Sequence, residues 1–289
     1  MGTLGENGFR DFLRMQRMIK EHVAANRPYF VGRLPHIGGE MVLAETLLRQ
    51  KPWRDDKLMH WLTNNAGLCM NTDQDAVEFV QHFLQAMLNT TQLCTWDLAD
   101  EFPMVYALAA ARTSYINAHA LDLHTHYLSD EYELAKLYEG KTILVILSHG
   151  ATFKHQVRRY GELFSVDKAP FRNANFIHLR PPQQHAGQTD GRSWRAHFEE
   201  FKAAIDTAFK ENPSIQLVLA ASGGFGMPVS DYIFKKHRTS VIYCGGVLQL
   251  AFGIRGARWE SGKGNDKWIK PLPEDVPTHA GRVENGCYW

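Results

Sequence analysis

The sequence has few cysteines, no long apolar run and almost no net charge. Its four cysteines lie far apart among 289 residues, without a Cys-x-x-Cys pair, which argues against a disulfide scaffold and a cysteine-ligated zinc site. No stretch approaches the roughly 20 apolar residues that cross a bilayer, and the N-terminus carries no signal-peptide pattern. Lys and Arg (32) balance Asp and Glu (31), so no electrostatic field for nucleic acid is expected. These absences predict a cytoplasmic protein with reduced thiols and no transmembrane segment.

Several nucleotide and catalytic fingerprints are also missing. The segment SHGATFK lacks the GxxxxGK[ST] spacing of a P-loop, and SGGFG falls short of the GxGxxG of dinucleotide-binding folds. There is no GxSxG elbow, so a serine hydrolase has little support. His119, His124 and His126 lie close to Asp122, but their spacing does not match HExxH or a facial triad, and we predict no metal site from them.

Short apolar runs alternate with stretches of helical periodicity along most of the chain. The clearest run, KTILVIL at 141–147, is typical of a strand buried on both faces of a parallel sheet. We therefore predict an α/β fold with a Rossmann-like, mainly parallel sheet flanked by helices, and with a helical N-terminal and middle portion. Strands are predicted at 29–34, 141–147, 175–179, 216–221 and 240–244. Helices are predicted at 8–25, 41–48, 55–62, 73–88, 130–138, 151–163, 195–211, 228–236 and 247–252, with a turn at 63–67.

This pattern predicts a single domain in three parts. Residues 28–140 form a strand, a loop and a helical region, and residues 141–260 form the Rossmann-like core. Residues 261–289 form an irregular tail, which we expect to dock onto the body because its NGCYW end is too aromatic for a free segment.

Glycine-containing turns follow the predicted strands at 216–221 and 240–244. Glycines let the backbone approach a ligand closely, and the N-terminus of the following helix offers unpaired N–H groups to an anion. In open α/β folds, ligands bind at this carboxyl edge of the sheet. The candidate binding residues in these turns are Ser222, Gly223, Gly224, Phe225, Gly245, Gly246 and Gln249.

A second group of candidates follows the predicted strand at 141–147. Ser148 and His149 precede a helical pattern that carries Lys154 one turn in, which has the form of an anion-binding turn. The alternative is an ordinary strand-to-helix turn with a buried histidine. Both interpretations stay open on the sequence alone.

Charged residues follow the first predicted strand and the last. Glu40, after Arg33, His36, Gly38 and Gly39, could act as a general base or bind a ribose, a sugar or a metal, and Arg33 could meet phosphate. The alternative is a loop glutamate that caps the next helix. A later basic cluster suits phosphate neutralisation, or else it is a solvated face. Its members are Arg255, Arg258 and Lys263.

The segments YFVGRLPHIGGE, LTNNAG, ILSHGATFKHQ, AASGGFGMPVSDYIFKKHRTSVIYCGGVLQLAFGIRGARW and ENGCYW, in that order, resemble the GT-D-type glycosyltransferases over roughly residues 28–289. The resemblance implies a Rossmann-like sheet that binds a UDP-sugar and transfers the sugar to a glycan acceptor. It places Glu40 on the family's carboxylate in an Arg–Gly–Glu segment. It also places nucleotide-side turns at Gly223, Gly224, Gly245 and Gly246.

The chain departs from that family in one respect, because we identify no DxD or DxE motif of the type that binds a divalent metal in the family; its one Asp-x-Asp triplet, at 73–75, begins the predicted helix 73–88. A requirement for Mn or Mg therefore stays open, and the leaving diphosphate must still be neutralised. The candidates for this neutralisation are Arg33, His149, Lys154, Arg255 and Arg258. For the general base that deprotonates the acceptor hydroxyl, we predict Glu40 first and Asp73 second.

Within the family, the chain is similar to large-DNA-virus members of the kind that chloroviruses use for capsid glycans, including a xylosyltransferase acting on a fucose-containing core. That likeness implies UDP-xylose as donor, a fucose-containing acceptor and inversion at the anomeric carbon. The sequence itself leaves UDP-glucose and UDP-galactose open. The alternatives are a Rossmann-type oxidoreductase or small-molecule transferase, and a glycan-binding module without catalysis.

Overall fold

The computed structural model describes residues 4–36, 38–110, 113–164, 168–184, 186, 188–260 and 266–289. A single sheet of seven strands runs through this part of the chain, in the order β3-β2-β1-β7-β6-β4-β5, and every pair of neighbours is parallel. The predicted fold class, a Rossmann-like parallel sheet flanked by helices, is confirmed. The strands are β1 (Phe30–Arg33), β2 (Gln92–Thr95), β3 (Ser114–Asn117), β4 (Thr142–Ile146), β5 (Asn175–Leu179), β6 (Ile215–Ala220) and β7 (Ser240–Tyr243).

Helices cover both faces of the sheet. The α-helices are α1 (Leu4–Ala24), α2 (Gly39–Leu48), α3 (Asp56–His60), α4 (Asp73–Leu88), α5 (Pro103–Ala110), α6 (Leu123–His126), α7 (Leu134–Leu137), α8 (Gly150–Val157), α9 (Trp194–Glu211) and α10 (Gly226–Lys236). A π-helical turn covers Trp61–Asn65, and 3-10 turns cover Ala118–Leu121, Tyr160–Glu162, Gly223–Phe225, Gly245–Phe252, Ala257–Trp259, Pro273–Asp275, Ala280–Arg282 and Glu284–Gly286.

The apolar runs of the sequence become strands that are buried on both faces. In β4, Ile143 and Val145 belong to one hydrophobic cluster, while Leu144 and Ile146 belong to the other. All four side chains are fully buried. Because successive residues of a strand point to opposite faces, only an unbroken apolar run can satisfy both layers. The cluster on one face includes side chains from α2, α4, α5, α9 and α10, and the other includes side chains from α1, α6, α7 and α8.

The five predicted strands are all present, but β2 and β3 were missed. Each has only four residues, of which two are polar, in the sequences QLCT and SYIN. Such short mixed runs fall below the length at which strand periodicity can be recognised. As a result, the sheet draws three strands from residues before 141, and β1 pairs directly with β7 through Phe30 and Val241.

The local helix signals of α4 agree with the structure, but those of the next segment do not. Thr72 caps α4 with a reciprocal capping box to Asp75, and α4 begins at Asp73 as predicted. The prediction of a turn at 63–67 is wrong for its first residues, since α3 continues into the π-helical turn. There the Ala66 amide donates to the Trp61 carbonyl at 3.1 Å, five residues back. This wide turn brings Asn65 and Ala66 toward the carboxyl edge of the sheet.

The C-terminal segment packs against the loops that follow β4 and β7. The Trp289 ring lies 6.4 Å from the His149 ring, and the Ala257 amide donates to the Trp289 carbonyl at 3.0 Å. A Cβ added at Gly256 would lie 2.7 Å from the Cys287 carbonyl oxygen, so only glycine fits there. Across all the described ranges, no helix is both long enough and apolar enough to cross a bilayer.

Candidate functional site

A cavity of about 570 Å³ opens at the carboxyl edge of the sheet. Residues at or just beyond the ends of β1, β2, β4, β5, β6 and β7 line it, together with the C-terminal segment. The chain leaves β4 toward β5 and leaves β6 toward β7, in opposite directions along the sheet. Such a topological switch point opens a crevice between the diverging loops, where α/β folds bind ligands.

Glu40 supplies a buried carboxylate to this cavity. It lies in the first turn of α2, is 8% exposed and lines the cavity wall. A Cβ at Gly38 would lie 2.7 Å from Glu40 Oε2, so the glycine makes room for the carboxylate. Burial raises the pKa of Glu40 above its ordinary value, and the backbone N–H of the same residue partly offsets that rise. A carboxylate with a raised pKa is a stronger base, as proton abstraction requires.

The same burial predicts that Glu40→Gln raises the stability of the folded protein. The unfolded chain ionises Glu40 near 4.5 and the folded protein at higher pH, so the wild-type free energy of unfolding falls as pH rises between these values. The variant has no charge to bury, so its melting temperature should exceed that of the wild type by on the order of 2 °C at pH 7. Calorimetry below pH 4 should show no difference. A variant less stable at pH 7 would contradict this prediction.

Arg33, at the end of β1, supplies the opposite charge. Its guanidinium lies 5.0 Å from the Trp96 ring centre, and a Cβ at Gly245 would overlap its Nη1 atom. Within the described residues no carboxylate lies within ion-pair distance of Arg33, and its Nε atom is buried without a hydrogen-bond partner. A guanidinium held this way, beside Gly245 with φ of 66°, is prepared for an anionic ligand because its donors are otherwise unused.

Tyr243 links the two charged groups to the β6 turn. It lies at the end of β7, where its hydroxyl donates to the Gly223 carbonyl at 3.0 Å. Burial raises the pKa of Tyr243, the charge of Glu40 adds to that rise, and Arg33 partly opposes it. The phenol therefore stays neutral, and the charges of Glu40 and Arg33 both affect its pKa.

The turn after β6 presents unused polar groups to the cavity. Ser222 is 6% exposed, and its hydroxyl has no hydrogen-bond partner. Gly223 has φ of 53°, and the following Gly224 amide donates to the Ala66 carbonyl at 2.9 Å. Gly224 therefore braces the turn against the π-helical segment and does not line the cavity. Since buried hydroxyls are normally satisfied, the free Ser222 hydroxyl marks a position for a ligand atom.

The turn after β4 differs from the sequence prediction. The Asp275 carboxylate accepts hydrogen bonds from the Ala151 amide at 3.2 Å, from the Thr152 amide at 2.6 Å and from the Thr152 hydroxyl at 2.7 Å. This buried carboxylate occupies the N-terminus of α8, where an external anion was expected to bind. Lys154 is exposed and outside the cavity. The N-terminus of α8 is therefore already paired with a carboxylate of this chain, while Ser148 and His149 line the cavity.

The basic cluster near the C-terminus is divided by the structure. Arg258 lines the cavity but forms an ion pair with Glu284 and lies over the Tyr288 ring at 5.1 Å. Arg255 lies outside the cavity, and Lys263 falls outside the described residues. Of the two members that the structure describes, Arg258 alone lines the cavity, and it is already paired with Glu284.

The structure brings most of the predicted binding residues together. Asp73, predicted as the second choice of base, is not among them, because it is exposed and paired with Arg54 at 2.8 Å. The predicted residues in the cavity wall are Arg33, His36, Gly38, Gly39, Glu40, Ser148, His149, Ser222, Gly223, Phe225, Gly245, Gly246, Gln249 and Arg258. Those outside it are Asp73, Lys154, Gly224 and Arg255.

Sequence reasoning missed several residues of the wall. Trp96 follows β2, which was itself missed, and Tyr243 ends β7 without being recognised as a site residue. Pro181 and Pro182 begin the long polar loop after β5. An aromatic side chain at the carboxyl end of a strand was the one available signal for Trp96 and Tyr243.

The histidines at 119–126 form local contacts. His119 pairs with Asp122 at 2.9 Å, and a ring nitrogen of His126 lies 2.8 Å from the His119 carbonyl oxygen. Across the described residues, no group of three or more His, Cys, Asp or Glu side chains is placed to hold a metal ion.

Comparison with known proteins finds no matching family model, no matching curated protein and no matching solved structure.

Proposed function

We propose that this protein is a glycosyltransferase that moves a sugar from a UDP-sugar to a hydroxyl group of a glycan. The observation that carries the proposal is the joint placement of Glu40 and Arg33 in one cavity. The carboxylate has a raised pKa, and the guanidinium has no carboxylate partner within the described residues. Glycosyl transfer needs one base and one cation in a single site, because a proton is lost as a diphosphate leaves.

The reaction assigns one step to each group. The Glu40 carboxylate accepts the proton of the acceptor hydroxyl, whose oxygen forms a bond to the anomeric carbon of the donor sugar. The bond between that carbon and the phosphate oxygen breaks, and its electron pair leaves with UDP. Arg33 stabilises the departing diphosphate through charge-assisted hydrogen bonds. Attack from the face opposite the leaving group inverts the anomeric centre.

The turns after β6 and β7 supply neutral donors beside Arg33. The free Ser222 hydroxyl and Gly223 lie in the turn after β6, and Gly245 lies in the turn after β7, the strand next to β1 in the sheet order. This arrangement favours a ligand with several phosphate oxygens, because each oxygen can accept a separate hydrogen bond. The identity of the nucleotide, the choice among UDP-xylose, UDP-glucose and UDP-galactose, a fucose-containing acceptor and a cytoplasmic location stay predictions of the sequence.

A thermal-shift panel tests the proposal. UDP and at least one UDP-sugar should raise the melting temperature, since a ligand at 100 times its Kd stabilises the fold by about 2.7 kcal/mol. NAD and S-adenosylmethionine, at the same concentration, should have no effect. Stabilisation by NAD without any response to UDP would replace the proposal by a Rossmann-type oxidoreductase. UDP release in the presence of a glycan acceptor distinguishes an enzyme from a binding module, and the same assay with EDTA measures the requirement for a divalent metal.

A further inference from the structure

The cavity wall is divided by charge. The two uncompensated charged side chains in its described part are Arg33, the last residue of β1, and Glu40, which lies at the start of α2 after β1. The other formally charged pair, Arg258 and Glu284, is mutually neutralised. On the opposite side, the ends of β4 and β5 contribute side chains without formal charge, apart from one imidazole. These are Leu147, Ser148, His149, Pro181 and Pro182. Trp289 of the C-terminal segment lies beside them, with its ring 6.4 Å from that of His149. We call this set, with Trp289, the neutral wall.

Two features keep anions away from the neutral wall. The helix N-terminus beneath it, that of α8, already holds the Asp275 carboxylate. The nearest lysine of that helix, Lys154, is exposed and outside the cavity. A phosphate placed there would meet an existing negative charge instead of free N–H donors, so the charged part of the ligand belongs at Arg33.

The donor groups of the neutral wall suit a sugar ring. The Ser148 hydroxyl accepts from the Gln183 side-chain amide at 3.3 Å, in a loop that also carries Gln184. The Trp289 indole N–H donates to the Asp275 carbonyl, and its ring lies beside those of His149 and Tyr288, at 6.4 Å and 6.0 Å, in the cavity wall. A few placed polar groups beside an aromatic ring are typical of a site for an uncharged, hydroxyl-bearing ligand.

The proposed donor nucleotide binds on the other side of the cavity, around Arg33. Trp96 lies against the Arg33 guanidinium, and the ring of the exposed His36 lies 5.1 Å from the Trp96 ring, on the β2 side of the cavity. A nucleoside joined to a diphosphate at Arg33 finds aromatic surface there. The neutral wall then lies on the opposite side of the reacting centre.

On the basis of the proposed function, we infer that the neutral wall binds the acceptor, and that the acceptor is an uncharged sugar residue. The acceptor hydroxyl must reach Glu40 while the donor occupies Arg33, so both substrates share the cavity. Among the described residues of this wall there is no lysine or arginine to pair with an acceptor that carries a phosphate or carboxylate near the reacting hydroxyl. Neutral glycosides are therefore preferred to glycosyl phosphates.

Acceptor-stimulated UDP release tests the inference with the full chain. The wild type is assayed with UDP-xylose, UDP-glucose and UDP-galactose against methyl glycosides of fucose, xylose, glucose and galactose, and against the matching glycosyl 1-phosphates. A methyl glycoside should stimulate release at least tenfold more than its phosphate. Equal or greater stimulation by the phosphates overturns the inference.

Variants locate the site. Trp289→Ala and Ser148→Ala should raise the KM of the stimulating glycoside about tenfold and change the calorimetric Kd of UDP less than twofold. His155→Ala, an exposed residue of α8 outside the cavity, is the matched control and should change neither. Ser148→Ala is a small change at a partly exposed position, so it keeps the test decisive if Trp289→Ala disturbs the tail.

The remaining outcomes separate the two proposals. Weaker UDP binding in these variants, with the acceptor KM unchanged, would place the nucleoside at the neutral wall and overturn the acceptor assignment alone. A wild type that neither binds UDP nor releases it overturns the proposed function, and the acceptor assignment falls with it.

Discussion

Replacing Glu40 by glutamine is expected to lower the rate of sugar transfer by about 100-fold to 10,000-fold, the range over which a positioned general base accelerates proton transfer. Glutamine has nearly the same shape and keeps the cavity wall intact. The Kd of UDP should stay within about twofold of the wild-type value, because the diphosphate binds at Arg33. A kcat loss without a loss of donor affinity is the signature of a group that acts in the transition state.

The pH dependence of the transfer rate is a second test of Glu40 as the general base. Burial raises the pKa of Glu40, and the base acts only when it is deprotonated. The rate of transfer should therefore fall as pH drops through that raised pKa, in a region where an ordinary glutamate would still be ionised. The residual activity of Glu40→Gln should lack this fall. A variant with the same acidic limb as the wild type would assign the limb to another group.

Glu45 provides a matched control on the same helix. It is also buried, but its carboxylate accepts from the Met104 and Val105 amides at the start of α5 and pairs with Arg49 at 2.7 Å. Glu45→Gln should lower the melting temperature and leave transfer within about twofold, since a charged helix cap is lost and no cavity group changes. Glu40→Gln should do the reverse. Near-normal transfer by Glu40→Gln would remove Glu40 from the role of base.

The parts of the site that depend on local sequence were predictable. Arg33 and Glu40 bracket the loop after an apolar run, and the carboxyl ends of parallel strands share one edge of the sheet, so the sequence already places both charges there. The turns at Gly223 and Gly245 follow from the same reasoning. In each of these cases, the residue and the strand that positions it are separated by only a few residues.

The parts that depend on distant contacts were not predictable. The turn after β4 has the form of an anion site, and only the fold shows that Asp275, more than 120 residues later, occupies it. The pairing of Arg258 with Glu284 is hidden for the same reason. Trp96 was missed because β2 is too short and too polar to show strand periodicity. A residue pattern indicates which groups can bind a ligand, but the groups already bound to each other emerge only from tertiary structure.

Replacing Arg33 by alanine is expected to weaken UDP binding by about 10-fold to 150-fold, which corresponds to the roughly 1.5–3 kcal/mol of a hydrogen bond to a charged group. The loss should appear in the Kd of UDP and in the KM of the donor. Arg33→Lys keeps the positive charge but cannot form the bidentate hydrogen bonds of a guanidinium, so it should recover only part of the affinity for UDP. Uridine, which lacks the diphosphate, should bind the wild type and Arg33→Ala with similar Kd values.

Arg255→Ala is the control for Arg33→Ala, because the sequence also predicted Arg255 as a phosphate ligand. The structure leaves Arg255 outside the cavity, so Arg255→Ala should change the Kd of UDP by less than about twofold. The affinity of the wild type should fall as salt is added, and Arg33→Ala should show a weaker salt dependence, since the charge that attracts the diphosphate is gone. An unchanged Kd in Arg33→Ala, together with a large loss in Arg255→Ala, would move the diphosphate away from β1 and separate it from Glu40. The mechanism proposed above would then fail, because it requires the base and the cation to act on one anomeric carbon.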